Sequence, residues 1–433
     1  MRIDATLKTL QTTGPLSGTV KAIASKSHVH RLLMAAALAD QPTVILCETR
    51  SEDITATMRV LKALGADFKE SAHHIEVTPI ETLPTVAQLD CGESGTTLRF
   101  MLPILASLGA RAEITRRGRL VTRPLAPLDA TLRAHGITLS ETAHDPLLIE
   151  GQLVAGHYQV AANVSSQYVG GLLFALSRLE GMSELTLTDT IESLPYIQMT
   201  LEVLRTFGVR ITHDEAMRHY RIEGRARLVS PRTIQAEGDW SNAAFWLAAG
   251  ALAPEGSALT VTHLNAQSLQ GDKAMVSLLE QFGAQVSQDE NSVRVASAPL
   301  HGITIDAAHI PDLVPILSVV AACAQGETHF THIARLRLKE SDRVKTTLAL
   351  LNTLGIEASA DDDHLTVKGG KLNAGRVDGA NDHRIVMAAA IASSRIEDGV
   401  LIDGPVAVNK SYPHFFEDFA QLGGTVNVWE KAL

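Results

Sequence analysis

The chain has 433 residues, of which 45% are hydrophobic and 20% are charged, and its formal net charge is −10. This composition excludes a disordered chain, and the length favours two domains over one. The negative charge and the low aromatic content of 4% argue against a nucleic-acid-binding protein, which would need a basic surface and stacking rings. An anionic small molecule would have to be held by local positive charge, because the field of the whole protein repels it.

The sequence carries no signal for a membrane span, a leader peptide or a metal site. Apolar runs stay shorter than the roughly 18 residues that a membrane helix needs, and Met1–Thr6 lacks the apolar core of a signal peptide. We therefore expect a cytoplasmic protein without membrane contact. Cys47, Cys91 and Cys323 are widely separated, which is typical neither of a zinc site nor of a disulfide framework. We interpret Asp361–Asp363 as an exposed turn.

Six similar segments recur along the chain, 69 to 76 residues apart. Each opens with a serine or aspartate and continues into a helix of small apolar residues; the opening residues are Ser25, Ser94, Ser165, Ser241, Asp312 and Asp382. Serine and aspartate accept hydrogen bonds from the free amides at a helix start, so we predict that these residues are N-caps. The helices are apolar on nearly all sides, which predicts that they are buried.

A second, outer helix follows each buried helix, and in most repeats a glycine and a short strand come directly after it. The predicted outer helices are Ile54–Leu64, Leu125–Ala134, Ile197–Phe207, Lys273–Phe282, Asp342–Leu354 and Phe415–Leu422. Predicted strands include Gly118–Val121, Tyr220–Ile222, Leu259–Thr262 and Leu365–Val367. Each repeat is therefore an α/β or α+β unit. Six repeats group as three plus three, with a hinge predicted near Val229–Arg232.

Cations and small polar residues gather in the first turns of the predicted buried helices, as with Lys26, Ser27 and Arg31. Two loops, Arg116–Arg123 and Arg335–Arg343, carry four cations each. Helix N-termini suit anions, and arginine binds carboxylate or phosphate with paired hydrogen bonds. We infer substrates with at least two anionic groups, although either loop alone could be a solvated charge run. The sequence has neither a GxxxxGK[ST] loop nor a GxGxxG turn after a strand, so an ordinary nucleotide site is not indicated.

Together these motifs resemble the 5-enolpyruvylshikimate-3-phosphate (EPSP) synthase family. The matching segments are, in chain order, Ser25–Ser27 with Arg31, Gly92–Arg99, Arg123–Pro124, Ser165–Gln167, Pro195–Ile197, Asp312, Leu338–Arg343, Asn381–Arg384 and Lys410. Each motif alone is weak, but the ordered set is specific and extends over nearly the whole chain.

The resemblance implies an enolpyruvyl transferase fold of class α/β (α+β), with six βαβαββ repeats in two three-fold pseudo-symmetric domains. One domain is inserted into the other. We place the inserted domain at residues 21–234 and the discontinuous domain at residues 1–20 plus 235–433. The resemblance also implies that the active site lies in the interdomain cleft and that the domains close over the substrates.

The activity that the resemblance implies is transfer of the enolpyruvyl (1-carboxyvinyl) group of phosphoenolpyruvate to the 5-hydroxyl of shikimate 3-phosphate. The reaction proceeds by addition and elimination and releases phosphate, as a step of the shikimate pathway of aromatic amino-acid biosynthesis. Both substrates are small molecules. The resemblance implies that no metal or organic cofactor is needed, and we expect a monomer.

Roles carry over residue by residue. The resemblance makes Asp312 the base on the 5-hydroxyl, gives Glu340 the proton at the methylene carbon, and lets Lys26 bridge both substrates and assist proton transfer to the leaving phosphate. It implies shikimate 3-phosphate contacts for Lys26, Ser27, Arg31, Ser165, Ser166, Gln167, Ser193, Tyr196, Asp312, Arg335 and Lys339. It implies phosphoenolpyruvate contacts for Lys26, Gly95, Arg123, Gln167, Arg343, Arg384 and Lys410. From the pattern alone, Asp312 could be a plain N-cap and Glu340 an ion-pair partner of Arg343 or Lys339.

Two positions depart from the family pattern. Family members often carry asparagine where this chain has Glu93 and Arg335. A carboxylate beside a phosphoenolpyruvate site should repel that substrate. We hypothesise that Arg335 neutralises Glu93 or binds the phosphate of shikimate 3-phosphate directly.

Two other functions stay open at this point. A UDP-N-acetylglucosamine enolpyruvyl transferase would share fold and chemistry, but that family usually has Lys-Asn in place of Lys26-Ser27. It also usually has a cysteine, or sometimes an aspartate, in a mobile loop where Arg111–Arg123 has neither. A non-catalytic anion-binding protein would be expected to have lost residues such as Asp312 or Lys410, which are present.

Overall fold

The computed structural model describes residues 6–141, 143, 145–224 and 228–429. This part of the chain forms twelve α-helices, and none of them is both long and apolar enough to cross a membrane. The helices are α1 (Lys26–Ala37), α2 (Glu52–Ala63), α3 (Gly95–Leu108), α4 (Leu128–Ala134), α5 (Ser166–Arg178), α6 (Leu194–Thr206), α7 (Trp240–Ala251), α8 (Met275–Phe282), α9 (Val314–Ala322), α10 (Arg343–Thr353), α11 (His383–Ser393) and α12 (Phe415–Gln421).

The same residues contain twenty-four strands. The first twelve are β1 (Thr9–Thr13), β2 (Gly18–Lys21), β3 (Thr43–Leu46), β4 (Asp67–Glu70), β5 (His74–Thr78), β6 (Ala87–Asp90), β7 (Ala112–Thr115), β8 (Thr138–Leu139), β9 (Leu147–Glu150), β10 (His157–Ala161), β11 (Ser183–Thr188) and β12 (Ile211–His213). The others are β13 (His219–Ile222), β14 (Thr233–Gln235), β15 (Ala258–Thr262), β16 (Gln285–Gln288), β17 (Ser292–Ala296), β18 (Thr304–Asp306), β19 (Glu327–Thr331), β20 (Ala358–Ala360), β21 (His364–Lys368), β22 (Gly375–Asp378), β23 (Val400–Asp403) and β24 (Thr425–Val428).

These strands form six four-stranded sheets within the described residues, and all six share one arrangement. The strand orders are β14-β3-β5-β4, β6-β7-β9-β8, β10-β11-β13-β12, β2-β15-β17-β16, β18-β19-β21-β20 and β22-β23-β1-β24. In every sheet the first two strands are parallel and the other neighbours are antiparallel. The order β6–α3–β7–α4–β8–β9 shows the βαβαββ repeat without interruption. The predicted fold class and its six repeats are confirmed.

Three strands pair with strands that are far from them in the sequence. Strand β2 precedes α1 but pairs with β15 of the fourth repeat, and β14 precedes α7 but pairs with β3 of the first. Strand β1 pairs between β23 and β24 and so completes the sixth repeat. The N-terminal segment is therefore part of the sheets of the second half of the chain.

Contacts divide the chain into two compact units. Unit 1 is Met1–Ser25 with Glu237–Leu433, and unit 2 is Lys26–Ala236. The predicted domain boundaries follow residues 20 and 234, and the division into an inserted and a discontinuous domain stays a prediction. The outermost ends of the predicted domains, residues 1–5 and 430–433, lie outside the described residues.

The first helix of each repeat is enclosed, as its apolar sequence predicts. Every residue of α7, α9 and α11 is buried. An α-helix without a polar face is stable only when other elements cover it on all sides. The packed repeats provide that cover, which explains why a chain with few aromatic residues still builds large cores.

Of the six predicted N-caps, three are confirmed by side-chain hydrogen bonds, two are wrong, and the one at Ser25 stays a prediction. Ser94, Ser165 and Asp382 accept the amide of a residue in the first turn of α3, α5 and α11, respectively. Ser241 is not a cap, because Asp239 lies two residues earlier and accepts the amide of Asn242 at 2.8 Å. Asp312 makes no cap hydrogen bond either. It lies in a 3₁₀ turn, Pro311–Leu313, and its carboxylate is engaged by cations instead.

One predicted strand is wrong, and the outer helices are correct with shifted ends. Gly118–Val121 is a 3₁₀ helix that begins at a glycine with φ +53°, a backbone conformation that does not continue a strand. The other predicted strands lie within β13, β15 and β21. Helix α4 begins at Leu128, because Ala126 precedes a proline and is thereby disfavoured from helical geometry.

A glycine follows the outer helix in all six repeats, and each of these glycines has a positive φ. They are Gly65, Gly136, Gly208, Gly283, Gly355 and Gly423. At Gly65, φ is +109° and a Cβ would lie 2.5 Å from the carbonyl oxygen of Thr82. Other residues are therefore strained and crowded at this turn, where the chain leaves the helix for the next strand.

Two adjacent glycines let α5 approach α3 closely in unit 2. A Cβ on Gly170 would lie 2.6 Å from the Phe100 ring, and one on Gly171 would lie 2.7 Å from Pro103. The Cβ of residue 171 would also come within 3.0 Å of the backbone oxygen of Arg99. This close approach brings the polar first turns of the two helices together.

We expect Gly171→Ala to destabilise unit 2 by about 1–3 kcal/mol, because the added methyl group overpacks an interface that includes backbone. Gly156→Ala is the matched control, since a Cβ there meets nothing within 4 Å. Calorimetric unfolding of both variants checks this. Equal melting temperatures for the two variants would contradict the close-packing explanation.

Candidate active site

In unit 1, the buried guanidinium of Arg343 contacts three carboxylates. Its Nη1 lies 2.7 Å from Oδ1 of Asp312, and its Nη2 lies 2.7 Å from Oε2 of Glu340. Its Nε lies 2.8 Å from Oδ2 of Asp382, the N-cap of α11. Arg343 and Asp382 have side-chain exposures of 1% and 0%, whereas Asp312 and Glu340 keep 23% and 22%. The buried pair of Arg343 and Asp382 therefore fixes the positions of two partly exposed carboxylates, those of Asp312 and Glu340.

Positive charges control the protonation of these carboxylates. Burial by itself would raise the pKa of Asp312, but Arg384 first, and then Lys339 and Arg343, lower it well below its usual range. Burial also opposes ionisation of Asp382, and Arg343 outweighs it and lowers the pKa of that carboxyl. Both aspartates are therefore anions at neutral pH.

Lys339 is the neighbour of Asp312 whose charge is most easily lost. Its Nζ lies 3.3 Å from Oδ1 of Asp312. Burial lowers the pKa of Lys339 to about 8; Asp312 opposes this shift, whereas Arg335 and Arg343 add to it. Lys339 therefore changes charge close to physiological pH.

Arg384 approaches the other side of Asp312. Its Nη2 lies 3.4 Å from Oδ2 of Asp312 and donates to the hydroxyl of Ser241 at 2.8 Å. Its Nη1 donates to the backbone oxygen of Asp312 at 3.2 Å. Arg384 is 4% exposed. Three repeats of unit 1 thus converge on Asp312, since Ser241, Asp312 and Arg384 belong to the fourth, fifth and sixth.

Lys410 and Arg335 lie beside the cluster of charged residues around Asp312 and Arg343. Nζ of Lys410 donates to the backbone oxygen of Asn381 at 2.8 Å, directly before Asp382. Arg335 donates to the backbone oxygen of Ala308 at 2.6 Å, and its charge acts on Lys339. The predicted residues of unit 1 are thereby brought together.

In unit 2, Lys26 opens α1 and pairs with a carboxylate that the sequence did not suggest. Its Nζ lies 2.8 Å from Oδ2 of Asp53, in the first turn of α2, and both side chains are largely buried. From sequence, an acidic residue in a first turn indicates only a favourable interaction with the helix dipole. Its role as partner of Lys26 depends on how α1 packs on α2.

Arg31 makes three hydrogen bonds to protein groups. Its Nε donates to Thr200 Oγ1 at 2.8 Å, its Nη1 to the Ser27 oxygen at 2.6 Å and its Nη2 to the Tyr196 oxygen at 3.0 Å. The guanidinium also stacks over the Phe100 ring at 5.0 Å. Burial lowers the pKa of Arg31 to about 10. In this structure Arg31 positions the neighbouring Ser27 and Tyr196, which were predicted to contact the same ligand.

Gly95 leaves room for two guanidinium groups. A Cβ there would lie 2.9 Å from Nη1 of Arg123 and 3.1 Å from Nη1 of Arg99. Arg99 Nη1 donates to Oε1 of Gln167 at 3.0 Å, and Gln167 Nε2 donates to Thr96 Oγ1 at 2.8 Å. The predicted residues Gly95, Arg123 and Gln167 therefore meet. Arg99 lies between them; it belongs to the matching segment Gly92–Arg99, but no ligand contact was predicted for it.

The remaining predicted residues of unit 2 lie at helix starts. Ser165 caps α5, and Ser166 is its first residue and is buried. Ser193 precedes α6 with a positive φ of +54°, and Tyr196 lies in the first turn of that helix. Residues from the starts of α1, α3, α5 and α6 thus provide polar groups at helix N-termini, which suit anionic ligands.

A buried hydrogen-bond chain joins α1, α2 and α3. His30 Nδ1 lies 2.6 Å from Thr57 Oγ1, which lies 2.6 Å from Thr97 Oγ1. Thr97 donates to the cap residue Ser94 at 2.7 Å. Burial, followed by the charges of Lys26 and Arg31, holds the pKa of His30 well below its usual value. A neutral His30 therefore links α1 to α2 and α3.

The two cationic loops are only partly available to a ligand. Arg116 pairs with Asp145 at 3.4 Å, and Arg117 pairs with Asp90 at 2.9 Å. Arg337 donates to the backbone oxygen of Asp361 at 2.7 Å. These three cations stabilise their own loops, so the charge runs overstate the number of ligand-binding residues.

Glu93 lies against Gly118, where a Cβ would come within 2.6 Å of its carboxyl carbon. Glu93 belongs to unit 2 and Arg335 to unit 1. The proposed compensation between Glu93 and Arg335 stays a prediction.

The part of the chain that the structure describes contains no group of three or more histidine, cysteine, aspartate or glutamate side chains that could hold a metal ion. Asp361 accepts the amides of Asp363 and His364, as expected of an exposed turn.

The fold is that of the enolpyruvyl transferases. A solved EPSP synthase from Acinetobacter baumannii superimposes with a TM-score of 0.80 at 24% identity, covering 97% of this chain and all (100%) of that one. The enolpyruvyl transferase NikO from Streptomyces tendae superimposes with a TM-score of 0.74 at 19% identity, covering 97% of this chain and 99% of that one. At these identities the likeness concerns the fold.

The sequence comparisons are more specific. The family model described as EPSP synthase (3-phosphoshikimate 1-carboxyvinyltransferase) matches residues 10–419. The 3-phosphoshikimate 1-carboxyvinyltransferase of Clostridium acetobutylicum is 40% identical over 421 residues, which is 96% of this chain and 97% of the relative. That of Clostridium novyi is 37% identical over 426 residues, with the same coverage of 96% and 97%. The chain belongs to the EPSP synthase family.

His30 generates a prediction about pH. A histidine with a lowered pKa stays neutral when folded but binds a proton in the unfolded chain below about pH 6.5. Its contribution to stability is therefore present above that pH and is lost as the pH falls below it. We expect His30→Asn to be less stable than wild type at pH 8 by about 1–3 kcal/mol, with a gap that narrows towards pH 5.

Thermal unfolding at several pH values measures that gap. His73→Asn is the control, because its side chain is 79% exposed. A gap for His30→Asn that does not change with pH would show that His30 is not held neutral.

Proposed function

We propose that this chain is a 3-phosphoshikimate 1-carboxyvinyltransferase, which transfers the enolpyruvyl group of phosphoenolpyruvate to the 5-hydroxyl of shikimate 3-phosphate in the shikimate pathway. Family membership supports the proposal, as do the names of relatives that align over nearly their whole length. The observation that carries it is the placement of Asp312 and Glu340 on two nitrogens of one guanidinium. Two accessible carboxylates in one cationic site suit a reaction that moves a proton at an oxygen and another at a carbon.

The reaction has two steps, an addition and an elimination. The 5-oxygen forms a bond to C2 of phosphoenolpyruvate and loses its proton, while the methylene carbon C3 gains a proton, which gives a tetrahedral intermediate. The bond from C2 to the phosphate oxygen then breaks, and phosphate leaves with the electron pair. C3 returns a proton and the double bond re-forms. In this scheme Asp312 takes the hydroxyl proton, Glu340 serves C3, and Lys26 assists the leaving phosphate.

The cations around Asp312 make it a weak base in the free protein, and substrate binding would weaken their effect. Without substrate, Arg384, Lys339 and Arg343 hold its pKa well below the usual range. The carboxylate and phosphate of phosphoenolpyruvate would compete for Arg343 and Arg384 and so weaken their hold on Asp312. Substrate binding would thereby raise the basicity of Asp312 when it is needed.

The ligand contacts are part of the proposal. We assign shikimate 3-phosphate to Lys26, Ser27, Arg31, Ser165, Ser166, Gln167, Ser193, Tyr196, Asp312, Arg335 and Lys339. We assign phosphoenolpyruvate to Lys26, Gly95, Arg123, Gln167, Arg343, Arg384 and Lys410. Residues of both units then serve one reaction. The hydrogen bonds of Gln167 to Arg99 and Thr96 support its assignment, since they fix its amide beside Gly95.

We further propose that the protein works in the cytoplasm as a monomer. Its three cysteines are free thiols, which agrees with a reducing compartment. Sedimentation of the purified protein measures the oligomeric state.

Phosphate release from phosphoenolpyruvate tests the reaction, with shikimate 3-phosphate or UDP-N-acetylglucosamine as acceptor. We expect release with shikimate 3-phosphate only. Asp312→Asn should lower kcat by about 10²–10⁴, because a general base is removed without loss of volume. Asp362→Asn, at an exposed position of a turn, is the control and should keep full activity. Release with the nucleotide sugar alone would overturn the substrate, and release with neither would overturn the activity.

The lowered pKa of Lys339 predicts that kcat/KM for shikimate 3-phosphate decreases at alkaline pH. Its pKa of about 8 means that Lys339 is charged below that pH and neutral above it, so a phosphate contact is lost as the pH rises. We expect kcat/KM for shikimate 3-phosphate to fall above about pH 8 in wild type. Lys339→Arg should keep this parameter flat to about pH 10, because arginine stays charged.

The exposed Lys345→Arg variant is the control for this experiment and should retain the wild-type limb. An alkaline limb in Lys339→Arg at the same pH as in wild type would assign the titration to another group.

A further inference from the structure

Asp272 is a fully buried carboxylate that the proposed mechanism does not use. It lies in the 3₁₀ turn Gly271–Ala274 before α8 and is 0% exposed. The preceding Gln270 anchors this turn to the start of α7. Its Oε1 accepts the amide of Trp240 at 3.1 Å, and its Nε2 donates to the Gly238 oxygen at 2.8 Å. The carboxylate is therefore held in a fixed place beside the first turn of α7.

A serine connects Asp272 to the candidate active site. The hydroxyl of Ser241 hydrogen-bonds to Oδ2 of Asp272, and the serine oxygen accepts from Nη2 of Arg384 at 2.8 Å. A guanidinium can only donate, so the serine oxygen receives its hydrogen and directs its own hydrogen to the carboxylate. The chain of donors thus runs from Arg384 through Ser241 to Asp272.

Ser241 is available for this chain because it does not cap α7. Asp239 takes that role, so the hydroxyl of Ser241 is free to turn towards Arg384. The other anchors of the Arg384 side chain are its contacts with the side chain and backbone of Asp312 and with the backbone oxygen of Ser241. When a ligand competes with the Asp312 carboxylate for the guanidinium, the contact with the Ser241 hydroxyl at 2.8 Å is the shortest of those that remain.

We propose that Asp272 and Ser241 are a positioning pair that orients the guanidinium of Arg384 towards phosphoenolpyruvate. The inference rests on the proposed function, because the contact of Arg384 with phosphoenolpyruvate is itself proposed. Neither residue touches substrate in this scheme, and both act through Arg384.

The electrostatic setting of Asp272 favours this role over a purely structural one. Burial, and then the neighbouring charge of Asp312, raise the pKa of Asp272 to about 6; Arg384 and the hydrogen bond from Ser241 oppose this, and Asp239 adds to it. An ionised Asp272 therefore costs stability at neutral pH. A neutral side chain would make this packed turn more stable than a carboxylate does. Stability therefore does not explain the carboxylate, whereas the orientation of Arg384 does.

Kinetics of Ser241→Ala, Asp272→Ala and Asp272→Asn test the pair, with the wild type assayed first. We expect the KM for phosphoenolpyruvate to rise about tenfold or more in Ser241→Ala and Asp272→Ala, the range for losing a hydrogen bond to a charged group. The KM for shikimate 3-phosphate should stay within about twofold, since Arg384 is not assigned to that ligand. The double variant should be no worse than the worse single one, because both changes remove the same support.

Ser393→Ala is the matched control. Ser393 is a buried serine of α11 that donates to Ala390 of its own helix at 2.7 Å, so its loss should leave both KM values unchanged. Equal increases in both KM values, or additive effects of the two substitutions, would overturn the positioning role.

Asp272→Asn keeps the shape of the side chain if alanine prevents folding, and it separates positioning from structure. Because ionised Asp272 costs stability above about pH 4, this variant should gain melting temperature relative to wild type as the pH rises from about 4 to 7. Its KM for phosphoenolpyruvate should nevertheless increase. A variant that loses both stability and affinity for both substrates would identify Asp272 as a structural residue.

Crystal structures of Ser241→Ala and Asp272→Asn give a readout that does not depend on activity. We expect the guanidinium of Arg384 to leave its place beside the Asp312 backbone oxygen in Ser241→Ala. If it stays there in both variants, the positioning pair is overturned even when the wild type is active. An inactive wild type with a displaced Arg384 would instead overturn the proposed function and keep the pair.

Discussion

The buried ion pair between Arg343 and Asp382 is the interaction on which the candidate site of unit 1 depends. Both side chains are removed from water, which is costly unless each charge is fully compensated. The pair is compensated by Ser341, which also donates to Asp382, and by the two further carboxylates that Arg343 contacts. Breaking such a pair usually costs about 3–5 kcal/mol. The same pair sets the positions of Asp312 and Glu340, so stability and the proposed chemistry depend on one guanidinium.

Several helix starts in this fold serve two purposes. Asp382 accepts the amide of Arg384 and at the same time binds the side chain of Arg343. Ser94 caps α3 and ends the hydrogen-bond chain from His30. Because a capping side chain lies at the end of a helix, it can also accept a hydrogen bond from a side chain of a neighbouring repeat. Repeated caps thereby become the contacts between repeats.

The two units also share an arginine contact away from the candidate site. In unit 2, Arg178, the last residue of the third buried helix α5, donates to the Leu38 oxygen at 3.5 Å, just past the end of α1. In unit 1, Arg395 makes the equivalent contact with the Leu252 oxygen at 3.4 Å, just past the end of α7. In each unit the third helix thus satisfies a carbonyl at the C-terminus of the first. Polar contacts at both ends of the buried helices set how the three repeats pack.

Much of this protein follows from its sequence because the determining interactions are local. The spacing of apolar helices, the caps at Ser94, Ser165 and Asp382 and the glycines after the outer helices depend on neighbouring residues, and they predicted six repeats correctly. The ordered motifs likewise indicated the family. Only the tertiary structure showed that Asp53 pairs with Lys26, and that Asp239 frees Ser241 to contact Arg384. Those contacts join residues 27 and 143 positions apart, respectively, and local patterns carry no information about which distant side chains the packing of helices will bring together.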